Sequence, residues 1–183
     1  MDPEKVVLDR DDIRRTLVRI AHEIVEKNAE AGELAIVGIH RRGALLAQRV
    51  HRLVEDLLDA QVPTGSLDIS FYRDDVGSRL AQPVVHASDV EFSTDEKTVV
   101  IVDDVLYTGR TVRAAIEALF DYGRPARVQL AVLADRGHRE LPIRPDYVGK
   151  NLPTAREERV NVRVEELDGV DEVTITSRSE VPA

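Results

Sequence analysis

The segment VVIVDDVLYTGRTV, residues 99–112, constrains the fold more than any other part of the chain. Its apolar start is typical of a buried strand, and Asp103 and Asp104 follow at the carboxyl end of that strand. Residues 108–111 then place two hydroxyl groups, a glycine and an arginine where the chain enters a helix. Carboxylates accept hydrogen bonds from neighbouring hydroxyl groups, and helix N-termini bind phosphate. The segment therefore predicts a site for a ligand that carries both a diol and a phosphate.

Other interpretations of this segment explain less of it. P-loop NTPases also hold a metal at the end of an acidic strand, but the sequence contains no GxxxxGK[ST], and its Gly149-Lys150 pair precedes Asn151. The sequence also lacks GxGxxG, which disfavours a dinucleotide-binding fold. A turn with capping residues alone would explain Thr108 and Gly109 but not two charges at the end of a buried strand.

Alternating strand and helix patterns predict an α/β fold with a doubly wound, mainly parallel sheet. Apolar residues recur at helical spacing in three segments, and short apolar runs indicate four strands between them. A strand, a helix and a second strand in this order imply parallel pairing through a crossover helix. The predicted strands are 34–39, 66–72, 98–104 and 128–134, and the predicted helices are 11–30, 43–60 and 110–123.

The rest of the chain is predicted to be less regular. Residues 73–96 are polar and long for a loop, so we expect a flexible lid there. Residues 135–151 are too rich in glycine, proline and charge for a regular element, whereas VNVRVEEL and DEVTITS flank Asp168-Gly169 like the arms of a β-hairpin. No repeat or linker divides the sequence, so we expect one domain over residues 1–183.

Composition excludes several classes of protein. The sequence contains no cysteine, so a disulfide framework and a thiolate zinc site are impossible. No apolar run is long enough to cross a bilayer, and the charged N-terminus lacks the order of a secretory signal. We therefore expect a cytoplasmic protein with no membrane partner. The net charge of −9 argues against nucleic-acid binding through overall charge, although charge clustered on one face could still bind it.

The segment VVIVDDVLYTGRT resembles the 5-phosphoribosyl-1-pyrophosphate (PRPP) motif of type I phosphoribosyltransferases. Other segments resemble the PyrR family, whose members are bifunctional attenuators of pyrimidine operons with uracil phosphoribosyltransferase activity. This resemblance covers roughly residues 5–175 and implies the type I phosphoribosyltransferase fold, with the C-terminal hairpin as a small hood. The segments are VGIHRRGALLA, DISFYRDD, DYGRPARVQLAVLADRGHRELPIRPDYVGKNLPT and IRRTLVRIAHEI.

The resemblance implies a role for each part of the substrate site. Asp103 and Asp104 would hold the ribose hydroxyl groups, residues 108–111 the 5-phosphate, and the turn 41–43 the pyrophosphate. Asp135 and Arg136 would border the uracil and pyrophosphate sites. The implied catalytic residues are Asp103, Asp104 and Arg42. The implied substrate-binding residues are Arg41, Arg42, Gly43, Arg73, Asp103, Asp104, Val105, Leu106, Tyr107, Thr108, Gly109, Arg110, Thr111, Asp135 and Arg136.

The chemistry of PRPP agrees with these roles. During displacement at an anomeric carbon the ring becomes oxocarbenium-like, and negative charge builds up on the leaving pyrophosphate. We expect Asp103 and Asp104 to stabilise the ring, and Arg42 together with Mg²⁺ to stabilise the leaving group. Magnesium needs no direct protein ligand, because PRPP and water supply its oxygen ligands. The lid would exclude water that hydrolyses PRPP.

The resemblance also implies a surface that binds RNA. Arg15, Arg19 and His22 are spaced so that they share one face of the first helix. With further basic residues they would form a concave patch that binds pyrimidine-operon leader mRNA when UMP is bound. The predicted RNA face comprises Arg15, Arg19, His22, Arg41, His138, Arg139, Arg144 and Lys150. The other implied partners are PRPP, uracil, UMP or UTP, and further copies of the chain in a homodimer or larger homo-oligomer.

Two alternative functions stay open at this point. One is a phosphoribosyltransferase for uracil or a purine base that has no role in RNA regulation. The other is a regulator that binds PRPP or a nucleotide without turning it over. A protein of the second kind could lose Arg42 or the lid, and this chain retains both.

Overall fold

The computed structural model describes residues 4–29, 33–70 and 88–177, which form two β-sheets and the helices that cover them. The strands are β1 (Lys5–Leu8), β2 (Leu34–Ile39), β3 (Thr64–Leu67), β4 (Thr98–Leu106), β5 (Arg127–Asp135), β6 (Tyr147–Asn151), β7 (Arg159–Arg163) and β8 (Glu172–Thr176). The helices are α1 (Arg10–Lys27), α2 (Arg42–Leu58), α3 (Arg110–Leu119) and α4 (Glu165–Asp168), and a 3₁₀ turn, Phe120–Tyr122, continues α3. None of the helices in these ranges is long and apolar enough to cross a membrane.

The larger sheet is parallel throughout and has the strand order β3-β2-β4-β5-β6. Every residue of β2 is buried, because helices cover both faces of the sheet. Side chains alternate between the faces, so Ile36 packs in the core with α1 and α2, whereas Val37 packs in the core with α3. The sheet confirms the predicted α/β fold.

The strand order places a topological switch point between β2 and β4. From β2 the chain moves outward to β3, then crosses to β4 on the other side of β2 and continues outward to β5 and β6. Open α/β sheets bind ligands at such a point, beyond the carboxyl ends of the strands. The connection from β2 to α2 and the acidic pair of β4 both lie at this edge.

The smaller sheet is antiparallel and joins both ends of the described chain in the order β1-β8-β7. Arg163 of β7 donates to Glu172 of β8 and to Glu4, the residue before β1, so one guanidinium connects all three parts of the sheet. Arg49 of α2 attaches this sheet to the rest of the molecule through Glu166 (2.6 Å) and Asp171 (2.8 Å). Val162 and Val173 complete the contact, since they pack in the α1 and α2 core.

The strand predicted over residues 66–72 is displaced in the structure. β3 spans Thr64–Leu67, because it pairs with β2 and that strand ends at Ile39. Beyond Leu67 the carboxylate of Asp68 accepts hydrogen bonds from the backbone N–H (2.9 Å) and hydroxyl (2.6 Å) of Ser70, which turns the chain away. Most of the lid predicted at 73–96 lies outside the described residues, and within 88–96 Asp89 forms an antiparallel bridge to Ser66.

Two further predictions are corrected by the smaller elements. Residues 135–151 contain β6 although no regular element was expected there, because pairing with β5 supplies the hydrogen bonds of this edge strand. The hairpin around Asp168-Gly169 is confirmed as the pair β7 and β8, but α4 connects them instead of a tight turn. Strand β1 was not predicted at all.

The predicted elements differ from the structure mainly at their ends. Helix α1 ends at Lys27 instead of residue 30, and α2 ends at Leu58 instead of residue 60. Helix α1 begins before Asp11, because Asp9 is its N-cap and forms a capping box with Asp12. Helix α3 gives way to the 3₁₀ turn before Gly123.

The anchoring of the smaller sheet by Arg49 predicts a pH-dependent stability. Arg49→Met should lower the free energy of unfolding at pH 7 by about 2 kcal/mol, because the buried Asp171 loses its partner. Hydrogen bonds from Arg49 hold the pKa of Glu166 below its ordinary value. Burial raises the pKa of Asp171, but the hydrogen bonds from Arg49 outweigh this effect, so its pKa is also lowered. Carboxylates with lowered pKa stabilise the fold above pH 4 or so and lose that effect as the pH falls through the lowered pKa.

Urea denaturation at pH 7 and at pH 3 measures this effect. The difference between the wild type and Arg49→Met should shrink at the lower pH. Arg52→Met is the control, since Arg52 is an exposed arginine on the same helix. An equal loss of stability in the two variants would contradict the anchoring role of Arg49.

Candidate active site

A cleft of about 380 Å³ lies at the carboxyl ends of β2 and β4, at the switch point of the sheet. It brings the turn 41–43 together with the acidic pair and Thr111, as predicted from the sequence. Five other residues at its surface were not predicted as site residues: Ile39, His40, Asp68, Ile69 and Ser70. The full lining is Ile39, His40, Arg41, Arg42, Gly43, Asp68, Ile69, Ser70, Asp103, Asp104, Val105 and Thr111.

The two aspartates of β4 are oriented by the backbone. Oδ1 of Asp103 accepts a hydrogen bond from the N–H of Asp104 (2.9 Å), and Oδ1 of Asp104 accepts one from the N–H of Val105 (2.7 Å). Asp103 is 5% exposed and Asp104 is half-buried. The strand continues to Leu106, two residues further than predicted, because Val105 and Leu106 still pair with β5. The acidic pair is therefore held on a rigid strand and not on a loop.

The turn between β2 and α2 packs directly against this acidic pair. A Cβ atom at Gly43 would lie 2.8 Å from the carbonyl oxygen of Val102 and 3.0 Å from Oδ1 of Asp103. Glycine is required here, because any side chain would push the start of α2 away from β4. The turn also carries a cis peptide bond between His40 and Arg41.

Arg42 reaches from this turn to the smaller sheet. Its Nη2 and Nε donate hydrogen bonds to Asp168, at 2.7 and 3.2 Å. The guanidinium of Arg42 lowers the pKa of the Asp168 carboxyl, and the N–H of Val164 donates a further bond to it. Asp168 was not predicted as a site neighbour, because its Asp-Gly pair is typical of a hairpin turn and only the fold brings it to Arg42. Arg41, the residue before Arg42, is exposed.

The segment from Tyr107 to Gly109, here called the phosphate turn, connects β4 to α3. Gly109 has φ +94° and caps the helix, a conformation that favours glycine. The hydroxyl of Thr108 accepts a hydrogen bond from the N–H of Arg110 (3.3 Å), and the first helical bond runs from Arg113 to Gly109 (3.0 Å). The first-turn amides of α3 and the hydroxyl of Thr111 therefore lie at the positive end of a helix beside the cleft, as an anion site requires.

Asp135 and Arg136 end β5 and contact the loop that follows. Burial raises the pKa of Asp135, but hydrogen bonds from Arg139 (2.5 Å) and from the N–H of Gly137 (3.0 Å) lower it below its ordinary value. Arg136 is 8% exposed, and its guanidinium lies 4.1 Å from the ring centre of Tyr107. These two residues belong to the support of the phosphate turn, and neither is part of the cleft lining given above.

The predicted RNA face falls into two groups in the structure, and Arg41 lies apart at the cleft. The first group joins α1 to β6, since Arg19 donates to the carbonyls of Val148 (3.2 Å) and Gly149 (2.6 Å). Arg15 bonds to Asp12 of its own helix at 2.8 Å. His22 is exposed on α1, and Lys150 of β6 donates to the carbonyl of Val7 at 3.3 Å.

The second group lies on the loop between β5 and β6. His138 contacts the carbonyl of Thr154 (2.6 Å), and Arg139 donates three hydrogen bonds within the molecule. Arg144 is exposed on the same loop. Arg73 lies outside the described residues, so its predicted role in substrate binding stays a prediction.

Comparisons with known proteins agree with this geometry. Residues 7–167 match the Phosphoribosyl transferase domain family. The chain is 61% identical over 173 residues to the bifunctional protein PyrR of Roseiflexus sp. (strain RS-1). The aligned region covers 94% of each of the two chains. It is 57% identical over 175 residues to the bifunctional protein PyrR of Chloroflexus aurantiacus, and this aligned region covers 96% of each of the two chains.

Solved structures are similar in fold at lower sequence identity. A hypoxanthine phosphoribosyltransferase of Trypanosoma cruzi matches with a TM-score of 0.71 and 20% identity over 94% of this chain and 96% of that chain. One from Staphylococcus aureus matches with a TM-score of 0.67 and 23% identity over 97% of this chain and 94% of that chain. At this identity the likeness concerns the fold alone.

Proposed function

The chain belongs to the PyrR family of phosphoribosyltransferases, and from this premise we propose that it converts uracil and PRPP to UMP and pyrophosphate. It also regulates pyrimidine operons by UMP-dependent binding to their leader mRNA. The observation that carries the enzymatic half is the cleft, in which an acidic pair, an arginine turn and a helix N-terminus meet.

Each chemical group of PRPP has a counterpart in this cleft or in the phosphate turn beside it. Asp104 and Asp103 offer carboxylates to the ribose hydroxyl groups, and the phosphate turn with Thr111 offers N–H and hydroxyl donors to the 5-phosphate. The turn 41–43 supplies positive charge for the pyrophosphate. Arg42 bonds to Asp168 through Nε and Nη2, so within the described residues its Nη1 is left to donate to a ligand.

The proposed reaction forms a bond between N1 of uracil and C1′ of the ribose while the bond from C1′ to pyrophosphate breaks. Uracil loses its N1 proton to the leaving pyrophosphate or to water in the same process. The ribose ring becomes oxocarbenium-like, so the negative charge of the aspartate pair stabilises the transition state more than the substrate. Both carboxylates are held by backbone N–H groups, so they need not reorganise when the charge develops.

Mg²⁺ is the proposed cofactor, and phosphoribosyltransferases generally use it with PRPP. The donor set of the cleft fits a hard cation, because Asp103 and Asp104 supply oxygen atoms and magnesium prefers such ligands. Within the described residues no group of three or more His, Asp or Glu side chains could hold a metal, so PRPP and water would supply most of its ligands. When bound, the ion neutralises charge on the pyrophosphate.

A phosphoribosyltransferase without RNA regulation is the second candidate. The internal hydrogen bonds of Arg19 and Arg139 favour it, because guanidinium groups that bond to backbone carbonyls have fewer donors left for RNA. The exposed basic residues His22 and Arg144 favour regulation instead. The two candidates differ in RNA binding and not in catalysis.

Asp104→Asn should lower the turnover of uracil and PRPP by a factor on the order of 10², because a preorganised charge next to the oxocarbenium is lost. Steady-state kinetics measure this loss, and urea denaturation shows whether the variant stays folded. Asp56→Asn, an exposed aspartate on α2, is the control and should keep wild-type turnover. Near wild-type turnover in folded Asp104→Asn would remove the ribose role of the acidic pair.

The double variant His22→Ala and Arg144→Ala should weaken UMP-stimulated binding to a pyrimidine-operon leader on the order of tenfold, because both exposed basic residues are predicted to contact RNA. Uracil phosphoribosyltransferase activity should remain unchanged. Gel-shift titration at fixed salt measures the affinity, and Arg156→Ala, another exposed arginine, is the control. Full RNA affinity in the double variant would favour the enzyme without regulation.

A further inference from the structure

The loop between β5 and β6, residues 136–146, is hydrogen-bonded to the phosphate turn and the residue before it. The N–H of Arg136 donates to the carbonyl of Leu106 (3.0 Å), and Nη1 of Arg139 donates to the carbonyl of Tyr107 (2.9 Å). The N–H groups of Glu140 and Leu141 both donate to the carbonyl of Thr108, at 2.9 and 3.1 Å. Three consecutive carbonyls therefore point toward this loop.

This arrangement determines where the amides of the phosphate turn point. A trans peptide unit is planar, so its carbonyl and the N–H of the next residue point in opposite directions. Because the carbonyls of Leu106, Tyr107 and Thr108 face the β5–β6 loop, the following N–H groups face away from it. Those groups belong to Tyr107, Thr108 and Gly109, immediately before the N-terminus of α3. The loop thus orients the donors of the proposed 5-phosphate site.

Arg139 is committed to this internal structure. Its Nε donates to the carbonyl of Ile143 (2.9 Å), and its Nη2 donates to Asp135 (2.5 Å), besides the bond to Tyr107. The side chain is 23% exposed. A planar guanidinium can hold three acceptors in fixed directions, which a lysine cannot do. Arg139 therefore connects β5, the β5–β6 loop and the phosphate turn.

A second link between the two segments is an ion pair. Nε of Arg110, the first residue of α3, lies 2.9 Å from Oε2 of Glu140. The same loop carries His138, whose ring is in edge contact with the ring of Tyr107 at a centroid distance of 6.1 Å. Residues proposed to bind phosphate and residues proposed to bind RNA are therefore neighbours in one hydrogen-bonded unit.

We propose that Arg139 is a positioning residue for the phosphate-binding amides and that the β5–β6 loop couples nucleotide binding to RNA binding; the second part rests on the proposed function. A bound phosphate holds the amides of Thr108 and Gly109, and their peptide planes hold the loop that carries His138 and Arg144. Coupling of this kind is reciprocal, so RNA tightens UMP binding by the factor by which UMP tightens RNA binding.

The role of Arg139 is tested without RNA by Arg139→Lys. This variant keeps a positive charge that could contact an RNA phosphate, but it loses the three-way geometry. We expect it to raise the Kd for UMP about tenfold in isothermal titration, because charge-assisted hydrogen bonds that orient the amides are lost. Unchanged UMP affinity would overturn the positioning role of Arg139. If RNA affinity then also falls equally with and without UMP, Arg139 is an RNA contact instead.

The coupling is tested by Glu140→Gln, which removes the ion pair with Arg110 and keeps the shape of the side chain. We expect the ratio of leader-RNA affinities with and without UMP to fall about two- to fivefold, the range for a partly exposed pair. Glu117→Gln is a matched control, since Glu117 pairs with Arg113 at 2.9 Å with similar exposure but lies within α3. It should leave the ratio unchanged.

Two failures of this experiment have different meanings. If the wild type binds no leader RNA with or without UMP, the regulatory half of the proposed function is wrong, and the UMP titration of Arg139→Lys still decides the role of Arg139. If the wild type shows UMP-stimulated binding and Glu140→Gln keeps the full ratio, the coupling through the loop is wrong and the proposed function stands.

Discussion

The parallel pairing of β2 with β4 determines how the two ends of the ligand site come together. It places the start of α2 beside the acidic pair, and Gly43 allows the two backbones to approach closely. After β2 the chain continues toward one edge of the sheet, and after β4 it continues toward the other edge. The helices that follow these two strands therefore both begin at the cleft between them. The turn 41–43, the acidic pair and the N-terminus of α3 therefore meet at one edge of the sheet. A ligand with a diol between two anionic groups matches this order of charges.

Arginine-carboxylate pairs connect this cleft to the smaller sheet. Arg49 attaches that sheet to α2, and Arg42 contacts Asp168 at the end of α4. Asp168 keeps its negative charge, because Arg42 lowers its pKa. Arg42 and Arg49 thus form bidentate pairs with carboxylates that fix their geometry. Arg139 fixes the phosphate turn differently, through one carboxylate and two backbone carbonyls. Exposed cations such as Arg144 are left for partners.

Much of the fold and of the site could be predicted because the signals are local. The apolar run before Asp103 and the turn after it predict a buried strand, a helix and a ligand site from one segment. Strand β1 could not be predicted in this way, since it is short and its partner β8 lies near the other end of the sequence. Strand β6 could not be predicted because its own residues are largely polar and only its pairing with β5 orders it. Asp168 and Glu140 were missed for the same reason, because only the fold brings them to Arg42 and Arg110.

Transfer of phosphoribose from PRPP to uracil is the reaction that we propose for this cleft. The most direct test incubates the purified chain with PRPP and Mg²⁺ and offers uracil, hypoxanthine, guanine, adenine and orotate in separate reactions. Product identification by mass spectrometry should give UMP with pyrophosphate from uracil and no nucleotide from the other bases. A nucleotide formed from a purine or from orotate, or no UMP from uracil, would contradict the account.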